Sequence, residues 1–295
     1  MRLFSFSIFF AVLVAGVVFF VTRIQYFPPT AITQVQTPLH YSAYSQKDFF
    51  EKAFDAATPA LLDAATQRIE GIVFNHHLLA PHFIAQALST VATTSPITIV
   101  LISPNHFNVG RGQILTSRYS WSTPYGILES DIKLIDQLVG GGFLTLDEQP
   151  FEKEHGIANV VAFIKRSLPQ AKVVPIIVKD ALSDKKTDEF AASLGSIMPK
   201  NFLAAASLDF SHYQTLDVAN QHDEVSLSVL KTLDWRGTSG LDIDSRPGLR
   251  MFLKLMTQVG ATRFHLLQHS NSAIVSGLLS VSSTTSYING YFSAP

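Results

Sequence analysis

Ile97-Thr98-Ile99-Val100-Leu101-Ile102 (ITIVLI) is an unbroken run of apolar and β-branched residues. A strand with one face in water alternates polar and apolar residues, whereas a strand covered on both faces reads as a continuous apolar run. The stretch therefore predicts a central strand with helices packed on both sides. Working outward, Pro81 to Val91 has a helical pattern and Ile69 to Phe74 reads as a further strand, which together make a βαβ unit. Downstream, Ser130–Val139 and Ile157–Ser167 read as helices, Lys172–Val178 (KVVPIIV) as a strand and Lys185–Ile197 as a helix. Phe202–Ser207 (FLAAAS) reads as a strand, Asp217–Leu233 and Pro247–Val259 as helices, and Ser286–Phe292 as a closing strand. Two shorter helical patterns, Lys47–Ala56 and Pro59–Arg68, precede them. Such alternation predicts an α/β protein, a three-layer α/β/α domain with a mostly parallel or mixed sheet.

The chain has 295 residues and 47% apolar side chains, enough for one substantial core. Its 22 basic and 23 acidic side chains nearly cancel and form no basic cluster, so no nucleic-acid partner is expected. Cysteine is absent, which excludes disulfides, a thiol nucleophile and thiolate ligands, and restricts any metal site to His, Asp, Glu or water. Leu3 to Val21 is roughly 19 residues without a charge, close to the span of a bilayer core. We read it as an uncleaved transmembrane helix within an anchor over 1–24, because bulky Phe19, Phe20 and Val21 replace the small residues of a signal-peptidase site. The expectation is a single-pass membrane protein with its body outside the cytoplasm. Residues 25–45 carry Pro28, Pro29 and Pro38 and read as a linker, and the globular domain is expected over 46–295.

In open α/β sheets, ligands bind where the carboxyl ends of strands meet their loops. Three of the predicted strands end in histidine: Asn75, His76 and His77 follow the first, Asn105 and His106 the second, and Asp209, Ser211, His212 and Tyr213 the strand from Phe202. A lone loop histidine is ordinarily a hydrogen-bonded structural residue; three at equivalent exits point to one pocket, and imidazole is a common ligand for Fe, Zn and Cu. Only one of His76 and His77 can face it, since neighbours on a strand exit point to opposite sides. Glu154 and His155 open a helix, where they serve as capping groups or as a pocket wall. His40, His82, His222, His265 and His269 read as structural. Ser211 beside His212 lacks a nucleophile elbow, and Gly140–Gly142 lack the Lys-Ser or Lys-Thr of a phosphate loop, so hydrolase and nucleotide chemistry are not expected.

Several of these stretches, in this order, resemble the Memo-like family, which includes AmmeMemoRadiSam system protein B. They are IVFNHH at Ile72–His77, LISPNHF at Leu101–Phe107, STPYG at Ser122–Gly126, KEHG at Lys153–Gly156, VVPIIV at Val173–Val178 and SLDFSHY at Ser207–Tyr213. The family is similar in fold to class III extradiol dioxygenases, which hold non-haem Fe(II) with two histidines and a carboxylate. By that resemblance His76 and His106 are metal ligands and His212, with Asp209, is a catalytic acid or base. His77, Asn105, Glu154, His155 and Tyr213 line the pocket. Memo-like proteins typically supply a cysteine before a Gly/Arg/Pro run; this chain has Asp242-Ile243-Asp244-Ser245-Arg246-Pro247-Gly248 there. Asp244, or alternatively Asp242, would complete a two-histidine, one-carboxylate set for a divalent metal, Fe(II) first. The competing reading makes Asp244 or Ser245 the cap of the next helix. The expected function is metal-dependent redox or dioxygenase-like chemistry on a small-molecule ligand; the alternative is a non-catalytic, membrane-tethered binding or scaffold protein. A radical-SAM partner is implied by the family name alone.

Overall fold

The computed structural model describes residues 38–58, 68–92 and 98–295, and Pro38–Pro295 form one compact unit. Its strands are β1 Leu39–Tyr41, β2 Ile69–Phe74, β3 Thr98–Pro104, β4 Ile114–Thr116, β5 Ser120–Thr123, β6 Gly126–Leu128, β7 Thr145–Leu146, β8 Lys172–Val178, β9 Phe202–Ser207, β10 Phe210–Gln214, β11 Arg263–Asn271 and β12 Thr284–Ser293. Its helices are α1 Lys47–Asp55, α2 Pro81–Thr90, α3 Ile132–Gly140, α4 His155–Ala158, α5 Val161–Ser167, α6 Asp184–Ile197, α7 Leu216–Thr232, α8 Arg246–Val259 and α9 Ser272–Ser276.

The main sheet runs β10-β12-β2-β9-β3-β8-β4-β7, with β11 also paired to β12. The central strands β2, β9, β3 and β8 are mutually parallel, while β12 is antiparallel to β2 and β4 to β8. The sheet is therefore mixed. Alternate residues of each central strand enter two separate cores, as the pleat requires. Val73, Val100, Ile102, Val174, Ile176, Ala204 and Ala206 pack with α3, α6, α7 and α8. Ile72, Phe74, Ile99, Leu101, Ile177, Leu203 and Ala205 pack with α1, α2 and α5. Helices on both faces explain why ITIVLI does not alternate.

Within the stretch 25–45 read as a linker, Leu39–Tyr41 pair in parallel with β5. Helix Ile157–Ser167 is broken into α4 and α5, with Asn159 in the gap donating its side-chain amide to the His76 carbonyl at 2.9 Å. The residues of Pro59–Arg68 up to position 67 lie outside the described residues. The single-pass anchor is corrected: no helix among the described residues is long and apolar enough to cross a membrane, and Leu3–Val21 lies outside them. With the anchor go the membrane as a partner, the membrane localisation and the extracytoplasmic placement.

Candidate functional site

Parallel pairing of β2, β9 and β3 brings their carboxyl ends to one edge of the sheet. His76, Asp209 and His106 follow those ends. Of the two adjacent histidines, His76 enters the cluster, while His77 turns away to bond through Nδ1 with Tyr287 Oη at 2.8 Å.

The tautomer of His76 follows from its neighbour. Ser207 Oγ donates to the Gly156 carbonyl at 2.7 Å, so toward His76 Nδ1, 3.2 Å away, it can only accept. His76 therefore carries its proton on Nδ1 and presents a bare lone pair at Nε2. That nitrogen stands 3.5 Å from Asp209 Oδ2 and 3.5 Å from Asp244 Oδ2. His106 is fixed in the same sense: its Nδ1 donates to Glu154 Oε1 at 2.6 Å, freeing Nε2. Glu154 also accepts from the Gly156 N–H at 2.9 Å and the His106 N–H at 3.0 Å. It is thus both the cap of α4 and the anchor of His106. Burial pushes its carboxyl up, but these hydrogen bonds outweigh burial and hold it below the usual range.

Asp244 and Asp209 are tied to each other through the backbone: Asp209 N–H donates to Asp244 Oδ2 at 2.8 Å, and Asp244 N–H to the Asp209 carbonyl at 3.1 Å. Asp209 Oδ1 accepts the His76 N–H at 3.1 Å. The cap of α8 is Ser245, whose Oγ accepts from Gly248 N–H at 3.1 Å, so Asp244 is left to the site. Its Oδ1 is buried without a hydrogen-bond partner among the described residues. Burial, reinforced by the neighbouring Asp209 charge, raises the Asp244 pKa well above normal; burial raises that of Asp209 as well. Burial, with the charges of His106 and His155 adding to it, drives the His76 pKa well below normal. Asp242 is engaged elsewhere, accepting from His222 Nδ1 at 3.0 Å.

Two groups of side chains can each hold an ion, His76 with His106 and His155, and His76 with Asp209 and Asp244; the ligand atoms of each lie within 4.8 Å of one another. His155 is exposed and lies against His106, ring centroids 3.8 Å apart. His212 sits at the side, with Nδ1 buried and unpartnered among the described residues; burial lowers its pKa. No hydrogen bond among the described residues joins it to Asp209. Tyr213 is 80% exposed. Asn105 spends its amide on both backbone groups of Val109, donating at 2.7 Å and accepting at 3.2 Å, so it staples the loop that carries His106. Sequence reasoning missed the supporting roles of Ser207, Gly156 and Asn159. Ser207 is signalled only by its place at a strand end, and Asn159 by nothing local.

A family model described as Memo-like protein matches residues 41–291. A MEMO1 family protein of Methanothermobacter thermautotrophicus is 27% identical over 223 residues, 72% of this chain and 80% of its own length. One from Pyrobaculum aerophilum is 28% identical over 193 residues, 62% and 68% of the two chains. One from Methanosarcina barkeri is 30% identical over 191 residues, 61% and 71%.

Proposed function

The chain belongs to the Memo-like family, and from that premise we propose that its strand-end site holds one divalent metal ion, Fe(II) first, in a metal-dependent oxidoreductase. His76 and His106 would be the imidazole ligands and Asp244 the carboxylate. The observation that carries the reading is the surplus of acceptors: the lone pair of His76 Nε2 faces two buried carboxylates, and Asp244 Oδ1 has no hydrogen-bond partner among the described residues. Buried acceptors facing one another are tolerated only around a cation or a proton. Fe(II) held by two imidazoles and a carboxylate supplies Lewis acidity and redox chemistry with coordination positions left open.

The chain's own residues do the rest. Ser207 and Glu154 hold both imidazoles with their Nε2 lone pairs free. Asp209 adds a second negative charge and fixes the His76 backbone. His212, kept neutral near pH 7 by burial, is suited to take a proton from a bound small molecule and return it. Asn105, His155 and Tyr213 would shape the surrounding wall, with His77 turned out of it toward Tyr287. The three-imidazole group containing His155 favours a second ligand set. Full-length protein purified anaerobically without chelators is expected to take up about one Fe(II) per chain. His106→Ala is expected to abolish uptake, and unchanged uptake in that variant would sink the reading. Loss with Asp244→Ala but not His155→Ala selects the carboxylate set; the reverse selects the three imidazoles.

A further inference from the structure

His212 lies on the most irregular strand of the sheet. The pairing of β10 with β12 slips on both sides of it, between Phe210 and His212 and again between His212 and Gln214. Its two neighbours, Ser211 and Tyr213, have φ of +23° and +59°, a region that residues with a Cβ rarely adopt and that persists only where the surroundings over-determine it. Double irregularities of this kind re-aim a side chain. Something must hold the segment there.

The hold is a buried carboxylate on α7. Asp223 is fully buried, and its Oδ1 accepts from Ser211 Oγ at 2.8 Å. Its Oδ2 is 2.9 Å from Nε2 of His269, a residue of β11 that faces Ile288 of β12. The Ser211 N–H is taken at the same time by the Asp242 carbonyl at 2.8 Å. Ser211 is thus gripped at backbone and side chain, and β11, α7 and β10 are joined through one carboxylate. We propose that Asp223, braced by His269, is a positioning residue that holds Ser211 in its strained conformation and thereby aims the His212 imidazole at the strand-end site. Sequence reading assigned His269 and the His222–Asp223 pair to structure and surface, and the metal site does not use Asp223.

The proton-carrying role of His212 rests on the function proposed above, but its aiming by Asp223 is tested on its own, because the readout is the ring of His212 and not metal. Full-length Asp223→Ala, Asp223→Asn and Ser211→Ala proteins are treated with diethyl pyrocarbonate, and the modification rate at each histidine is followed by peptide mass spectrometry. In Asp223→Ala and Ser211→Ala the rate at His212, relative to His155, is expected to change by roughly threefold or more, as release of a strained segment allows. Asn at 223 can accept from Ser211 and donate to His269, so Asp223→Asn is expected to keep the wild-type rate, a rescue that a simple loss of packing does not give. An unchanged rate at His40, which is buried far along the chain, reports an intact fold. Should Asp223→Ala fail to fold, Ser211→Ala carries the test. A wild-type rate at His212 in Ser211→Ala, or an Asp223→Asn protein that behaves like Asp223→Ala, overturns the proposal. Failure of the metal reading would show instead as unchanged iron uptake in His106→Ala.

Discussion

Gly156 makes the backbone itself part of the site. A Cβ at this position would lie 2.0 Å from Ser103 Oγ and 3.3 Å from His106 Cε1, so Gly156→Ala must displace Ser103, His106 or both. Overpacking of this kind costs about 1–3 kcal/mol, and we expect that loss in urea denaturation together with weaker metal uptake. Ser103 Oγ is buried without a partner among the described residues, so Ser103→Ala alone is expected to be nearly neutral. It should also recover much of the Gly156→Ala loss when the two are combined, and strict additivity would refute this account of the clash. Residue by residue, the sequence was informative about placement where it follows from a strand end, as for His76 and His106, or from a helix start, as for Glu154. It left open His76 against His77 and Asp244 against Ser245, because those choices turn on one step of strand register and one step of helix capping. Asp223 and His269 were opaque: 46 positions apart, they meet only because β11 comes to lie beside α7.

At the scale of elements, α1 is fastened by a charged clasp. Glu51 accepts from Arg166 of α5 through Nε and Nη2 at 3.1 and 2.7 Å and from Tyr125 Oη at 2.6 Å, tying α1 to α5 and to the β5–β6 turn. The hydrogen bond from Arg166, followed by that from Tyr125, holds the Glu51 carboxyl down at about 2. A carboxyl with a lowered folded-state pKa contributes stability above its unfolded value that is lost as pH falls through the folded one. Glu51→Gln should therefore cost about 1 kcal/mol at pH 7, in keeping with a partly exposed pair, and the difference should vanish between pH 4.5 and about 2. Thermal melts of the two proteins across that range check it. The strands that were most legible, β2, β3, β8 and β9, are those buried on both faces, where continuous apolar runs are dictated by the layers above and below. β10 and β11 escaped because one is bent by positive φ angles and the other, RFHLLQHSN, is only partly buried and lacks clean alternation.

For the whole molecule, a metal ion at the proposed site would make the pair Asp209 and Asp244 couple stability to pH and to metal in opposite senses. Burial raises both pKa values, so in metal-free protein their contribution is fully present when they are protonated. It is lost as pH rises through the raised folded values. A divalent ion at the proposed site would take the place of the missing proton, so the stabilisation it gives should grow with pH. Saturation at about 100 times Kd corresponds to about 2.7 kcal/mol. We expect the rise in Tm on adding Fe(II) anaerobically to be larger at pH 8 than at pH 5, and to be lost in Asp244→Asn; a pH-independent rise would contradict the coupling. The layered α/β body was readable from hydrophobic pattern alone. The anchor inference was not secured by it, since an apolar stretch records hydrophobicity without saying what buries it.

The pairings that enclose the site join distant stretches of chain: His76 and Asp209 are 133 positions apart, and Val73 of β2 pairs with Gly290 of β12. Closing loops of that length is slow and goes unrewarded until the sheet is whole. The order of events in time follows from this. Secondary structure and local hairpins can form early, but the ring of acceptors does not exist until β2, β9 and β3 lie side by side, so capture of an ion at the proposed site would belong to the last steps of folding, and a fragment lacking any of these strands would carry no copy of it.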